Sequence, residues 1–325
     1  MRDKSDATKR PKHSQFASRS RPSETTSLSA VRSYGSNQQF PLVSARWLAT
    51  WFIASLFFAA ACTYLGLCIL FYLGQWQIIF HPSSSVTATP SSLGIPFDDV
   101  HFDYTETGLP QLNGWWLAAS PRIEPRPHAI QTILFLHGAD GSLSDTLPSL
   151  EPLHALGVNI FAIDYRGFGL SMNTHPSEQR VYQDADAALV YLVEVRHVAP
   201  ASVIVYGQGL GATIAAELAR RHPQIGGLIL DDPAPPALTL IYRDPRTKLL
   251  PVKLLFRDRF ELEPKLQNLP VPKLFIEGSA MGYFAAASHP KTLLVAAPGA
   301  AHAALPQVAN FVRALAPSSI QWPQY

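Results

Sequence analysis

The sequence predicts an α/β domain with a mostly parallel central sheet of about eight strands, carried behind a single membrane-spanning helix. Three observations predict it. From about residue 90 onward, short β-branched apolar runs alternate with stretches of helical periodicity. Those runs are apolar at successive positions, as strands covered on both faces are. Ahead of them, Trp47 to Gly74 forms a run without one charged residue.

The first segment, residues 1–46, carries nine Lys/Arg against three Asp/Glu, a net of +6. Residues 1–39 are rich in Ser, Arg, Lys and Gln and hold no apolar period, so they cannot bury enough surface to offset the entropy of ordering. This is read as a disordered basic tail. The second segment, residues 47–75, is long enough for a bilayer core, which takes about 20 apolar residues. Trp47 and Trp51 lie at one end and Tyr72 and Trp76 at the other, where interfacial aromatics sit. Arg46 and the basic tail place the N-terminus in the cytoplasm and the body on the opposite, periplasmic or extracellular, side of the cell membrane. A cleaved signal peptide would have a shorter apolar stretch and a small-residue cleavage site. Cys62 and Cys68, the two cysteines of the chain, both fall inside the run, which excludes a disulfide scaffold.

The third segment, residues 76–325, is the body. Beyond residue 46 the chain has 17 basic and 21 acidic residues, a net of −4, which argues against nucleic acid as its partner. Val100–Thr105 and Gly114–Ala119 read as an edge meander. Further strands are expected at Thr132–Leu136, Asn159–Ile163, Ser202–Tyr206, Gly227–Leu230, Lys273–Glu277 and Thr292–Ala296. Helical patterns cover Leu147–Leu156, Tyr182–Val195, Ala212–Arg221 and His302–Leu315. The proline-punctuated interval 233–270 reads as a small cap or lid excursion.

Four strand ends carry motifs. Thr132–Leu136 runs into His137-Gly138-Ala139-Asp140-Gly141, and the next strand into Asp164-Tyr165-Arg166-Gly167-Phe168-Gly169. The third runs into Gly207-Gln208-Gly209-Leu210-Gly211 and a helix, and Pro298-Gly299-Ala300-Ala301-His302 follows the last. This order and spacing resemble the α/β-hydrolase superfamily. More narrowly, they resemble bacterial membrane-anchored hydrolases of the serine-aminopeptidase-like and monoglyceride-lipase-like group, as does Ile78-Ile79-Phe80-His81-Pro82. The resemblance spans roughly residues 76–316 and implies a nucleophile–base–acid triad with a backbone oxyanion hole.

Two of those positions are substituted. The resemblance places the nucleophile at Gly209, between Gly207 and Gly211, where a glycine offers no hydroxyl. It places the acid in Ser279–Tyr283, which holds no carboxylate; Met281 or a neighbour stands there. The base position is retained as His302. Asp231 and Asp232, ending the strand at Gly227–Leu230, are the alternative acid position of the superfamily. Asp140 and Glu277 are further carboxylates at strand ends or loops, with capping or solvated roles as the simpler reading. The amides of Ala139 and Leu210 match the oxyanion-hole donors. No metal-ligand spacing, phosphate loop or dinucleotide fingerprint is present, so no metal or cofactor is expected.

Two functions follow as expectations. One is a catalytically degenerate hydrolase that binds a small acyl or ester-like ligand, or a protein partner, at the membrane. The other is an active, cofactor-free enzyme that uses His302 with Asp231 or Asp232 and forms no covalent serine intermediate.

Overall fold

The structure, a computed structural model, describes residues 44–119, 131–277, 282–295 and 301–315. The basic tail up to residue 43 and the Met281 position lie outside the described residues. Two compact units divide the chain, residues 1–57 and 58–325.

In the first unit the described backbone is helical from Ala45, the start of α1 (Ala45–Gly74). This helix has no charged residue after Arg46, and it is long and apolar enough to cross a membrane. Its side chains are apolar all round rather than on one stripe.

The second unit is built on eight strands: β1 (Asp98–Tyr104), β2 (Pro110–Leu117), β3 (Thr132–Leu136), β4 (Asn159–Asp164), β5 (Val203–Gln208), β6 (Gly227–Asp231), β7 (Lys273–Glu277) and β8 (Lys291–Val295). Their order across the sheet is β8-β7-β6-β5-β3-β4-β2-β1. Pairing is parallel from β8 through to β4 and antiparallel for β2 against β4 and β1 against β2. The edge meander is therefore where the sequence predicts it; β2 starts four residues before its expected Gly114, and the other strand ends lie within two residues of expectation.

Successive residues of β3 serve opposite faces. Leu134 and Leu136 pack with α3 (Glu178–Val190) and α4 (Gly211–Arg221), whereas Ile133 and Phe135 pack with α2 (Leu147–His154) and α5 (Ala301–Leu315). That two-sided burial is why the strands read as unbroken apolar runs. The stretch after β6 departs from the sheet as short helices, Ala237–Arg243, Val252–Leu255 and Glu263–Leu266. Ile241, Val252, Phe256, Phe260, Leu262 and Leu266 tie it to the α3/α4 side of the core.

Candidate functional site

Three loops at the carboxyl ends of neighbouring strands build the site. The first leaves β5. The chain turns at Gly209 with φ of +58° and enters α4 two residues later. A side chain at that φ is disfavoured by contact between Cβ and the backbone, so a glycine relieves the turn. Its amide donates to the Asp231 carbonyl at 2.9 Å, and its carbonyl accepts from Ala234 N–H at 3.1 Å. A Cβ at position 209 would meet nothing closer than Gly138 Cα, at 3.8 Å. A small side chain there would thus point into open space beside the HisGly loop. The flanking glycines differ. A Cβ on Gly207 would run into the backbone of Gly211 and Ala212, and one on Gly211 into the carbonyls of Leu136 and His137. Only glycine lets the helix approach the strands this closely.

The second loop follows β3 and carries Ala139. Its carbonyl accepts from His81 N–H at 2.9 Å, and Ser83 N–H donates to Gly141 at 2.8 Å. Residues just beyond α1 thus add a two-residue parallel bridge, His81–Pro82 against Asp140–Gly141, to this loop. Asp140 is exposed, and its carboxylate meets His81 Nδ1 at 2.7 Å, which gives it a role in that latch. Among the described residues no acceptor takes the Ala139 or Leu210 amide.

The third loop, Asp164–Gly169, braces the second. Asp164 Oδ1 accepts the Leu143 amide at 2.9 Å, and Tyr165 Oη donates to the His137 carbonyl at 3.1 Å. Arg166 pairs with buried Asp184 at 2.6 Å through Nε, and its amide donates to the other carboxylate oxygen at 2.9 Å. Burial pushes the Asp184 carboxyl up to about 6, against the pull of Arg166 in the opposite direction.

Asp231 ends β6 in register with Gln208. It is only 8% exposed. Its Oδ2 accepts from Tyr206 Oη at 2.7 Å and from Gln208 Nε2 at 3.3 Å, and Gln208 Nε2 also reaches Ser149 Oγ at 3.2 Å. Burial raises the Asp231 carboxyl, and the Tyr206 and Gln208 hydrogen bonds offset part of that rise. Burial beside the carboxylate lifts Tyr206 well above its ordinary range, so it stays a donor. In the sequence Gln208 is only a member of the glycine-flanked motif, and its amide is no nucleophile. The structure gives it a different task, holding an acid next to Gly209. The period of two that puts Tyr206 and Gln208 on one face of β5 was the available signal.

Asp232 is exposed, with φ of +44°, and its amide donates to Ile276 at 2.7 Å. Glu277 ends β7 in a buried position. His302 lies in the first turn of α5, and its side chain, like Met281, is outside the described residues. No cluster of metal-ligating side chains occurs among the described residues.

Residues 127–268 match the family model for serine aminopeptidases, S33. A multifunctional-autoprocessing repeats-in-toxin protein of Vibrio vulnificus is 32% identical over 162 residues, 47% of this chain. That stretch is 3% of the toxin's own length. An uncharacterized protein of Mycobacterium tuberculosis is 28% identical over 260 residues, 73% of this chain and 83% of the relative. An esterase of Pyrococcus furiosus superposes with a TM-score of 0.54 at 18% identity, over 73% of this chain and 98% of the esterase. The eight-stranded order, the glycine-flanked turn after β5 and these likenesses agree: the chain has the α/β-hydrolase fold.

Proposed function

We propose that this protein is a membrane-anchored α/β-hydrolase-fold protein that binds an acyl or ester-like ligand, or a protein partner, without serine-hydrolase turnover. The observation that carries the reading is Gly209 at the turn where the superfamily holds its nucleophile. Acyl transfer through a covalent intermediate needs a hydroxyl or thiol there, and glycine has neither. Loss of the nucleophile removes about 10⁶ in kcat where it has been measured in a complete triad. The oxyanion donors are backbone amides, Ala139 and Leu210, and survive such a change. A carbonyl or carboxylate is therefore the ligand group these amides suit.

The anchor is α1, with the N-terminal tail on the cytoplasmic side of the cell membrane and the body on the other. The tail ends near residue 46, the body starts near residue 76, and residues 233–270 form its cap.

The test is a fluorophosphonate probe beside an ester panel. The unmodified protein is expected to remain unlabelled and to turn over no ester. Gly209→Ser is expected to label weakly, because the space for a hydroxyl exists while the acid position is Met281. Met281→Asp added to Gly209→Ser is expected to raise the labelling. Labelling of the unmodified protein at a serine, with ester turnover, overturns the reading.

The burial of Asp231 beside Gly209 favours one second reading, in which His302 paired with Asp231 or Asp232 activates water directly. Its signature is ester turnover without probe labelling, abolished by His302→Gln.

A further inference from the structure

We propose that the cap stretch from Leu249 to Arg257 is a second membrane contact, seated in the headgroup and upper acyl layer of the bilayer that α1 crosses. The inference rests on the anchor reading of α1.

Four contacts place this stretch against the C-terminal part of α1. Tyr64 Oη donates to the Leu249 carbonyl at 3.2 Å. Gln75 Nε2 donates to the Leu255 carbonyl at 3.4 Å, and Gln75 Oε1 accepts the Arg257 amide at 2.9 Å. The Arg257 guanidinium lies 4.2 Å from the centre of the Tyr72 ring. Residues 249–257 therefore track α1 from Tyr64 to Gln75, about 16 Å of helix at 1.5 Å per residue.

Helix length says what surrounds that stretch. A helix of 30 residues is about 45 Å long, some 15 Å more than the hydrocarbon core needs. Counted from the Trp47–Trp51 end, a core of about 20 residues ends between Tyr64 and Tyr72, and tyrosine prefers the interface. The cap then meets the helix at and just outside the hydrocarbon boundary.

The side chains of the stretch fit that depth. In the turn Val252–Leu255, Val252 and the following Phe256 are buried in the core. Lys253 and Leu254 point outward, and Leu254 is 83% exposed. Leu249 is 85% exposed, beside Tyr64. Two fully presented leucines, one in contact with a membrane helix, are costly in water and favourable in acyl chains.

Charge supplies the second argument. Residues 243–259 hold six Lys/Arg and two Asp/Glu, a net of +4, within a stretch beyond residue 46 whose total is −4. Lys248, Lys253, Arg257 and Arg259 are all exposed. Apolar tips ringed by cations, on a body otherwise acidic, match an anionic lipid surface.

The test uses the full chain in vesicles of phosphatidylcholine, with and without phosphatidylserine. In a Cys62→Ala, Cys68→Ala background, an environment-sensitive fluorophore is placed at Leu249→Cys or Leu254→Cys, and at the exposed hairpin position Thr107→Cys as reference. Nitroxide-labelled lipids are expected to quench the two cap positions several-fold more strongly than position 107. Lys248→Glu, Lys253→Glu and Arg257→Glu together are expected to reduce that quenching more in the phosphatidylserine vesicles. Leu249→Ser and Leu254→Ser are expected to leave thermal unfolding unchanged, which separates docking from folding. Quenching at the cap equal to that at position 107, with the chain still resisting carbonate extraction, overturns the inference and spares the anchor. Release by carbonate overturns the anchor reading and this one with it. A blue-shifted cap fluorophore that lipid nitroxides fail to quench means a protein covers the surface, which also overturns the inference.

Discussion

Three glycines separated by single residues have two different tolerances. Gly207 and Gly211 sit where an added Cβ collides with backbone that cannot give. Gly211→Ala is expected to cost about 2–4 kcal/mol, as overpacking a close helix–strand approach does. Gly209 has open space and only its φ of +58° against a side chain. Gly209→Ser is expected to cost about 1 kcal/mol, the ordinary penalty of that backbone region. Urea unfolding in mild detergent, followed by near-ultraviolet circular dichroism, separates the two; equal losses would refute the elbow geometry. Asp184 gives a pH-dependent counterpart. Its folded carboxyl is raised to about 6 from an ordinary 3.8, so between those values the native state holds a proton that the unfolded state has lost. Stability contributed by Asp184 is complete below about pH 4 and declines as pH rises to about 6, by about 3 kcal/mol. The stability difference between wild type and Asp184→Asn is expected to shift against wild type over that interval. A flat difference would mean that Arg166 fully compensates the burial. Removing Arg166 instead, as Arg166→Met, is expected to cost about 3–5 kcal/mol, because it strands a buried carboxylate.

At the scale of elements, a sheet covered on both faces makes a specific claim. Ile133 and Leu134 are neighbours in sequence, face opposite ways, and are both fully buried. Each mutation to alanine is therefore expected to cost about 2–5 kcal/mol. Leu293, on the edge strand β8 and 38% exposed, is expected to cost less than about 1.5 kcal/mol. A small loss at either Ile133 or Leu134 would mean that one face of β3 is open. The same two-sided burial explains what was legible. The inner strands β3 to β7 announced themselves as apolar runs because almost none of their positions faces water. α3 was read as starting at Tyr182 because its first turn, Glu178-Gln179-Arg180-Val181, is mostly polar; the structure starts it at Glu178, with Ser177 accepting from Arg180 N–H at 3.4 Å. That cap was readable. Its far end was read through to Val195, but the chain widens to a π turn at Tyr191–Val195. The Asp231–Tyr206–Gln208 group was half legible. Asp231 was singled out by its strand-end position, but its partners come from a strand 25 and 23 residues away, and only the β5–β6 register brings them together.

Over the whole molecule, charge distribution decides topology. The tail before α1 has a net of +6, with Arg46 at the helix border. After the helix there is no Lys or Arg until Arg122. Orientation is set by basic residues within about 15–20 positions of a helix end, so the C-terminal flank offers nothing that retains it in the cytoplasm. The six basic residues at 243–259 lie far beyond that window. A C-terminal alkaline phosphatase fusion is therefore expected to be active, and a C-terminal green fluorescent protein fusion dark when exported unfolded. Replacing Arg32 and Arg46 with Gln, while adding lysines at Ser83, Ser84 and Ser85, is expected to yield a mixed population. If the unmodified chain gives an inactive phosphatase and a bright fluorescent fusion, the body is cytoplasmic and the orientation argued from the tail is wrong.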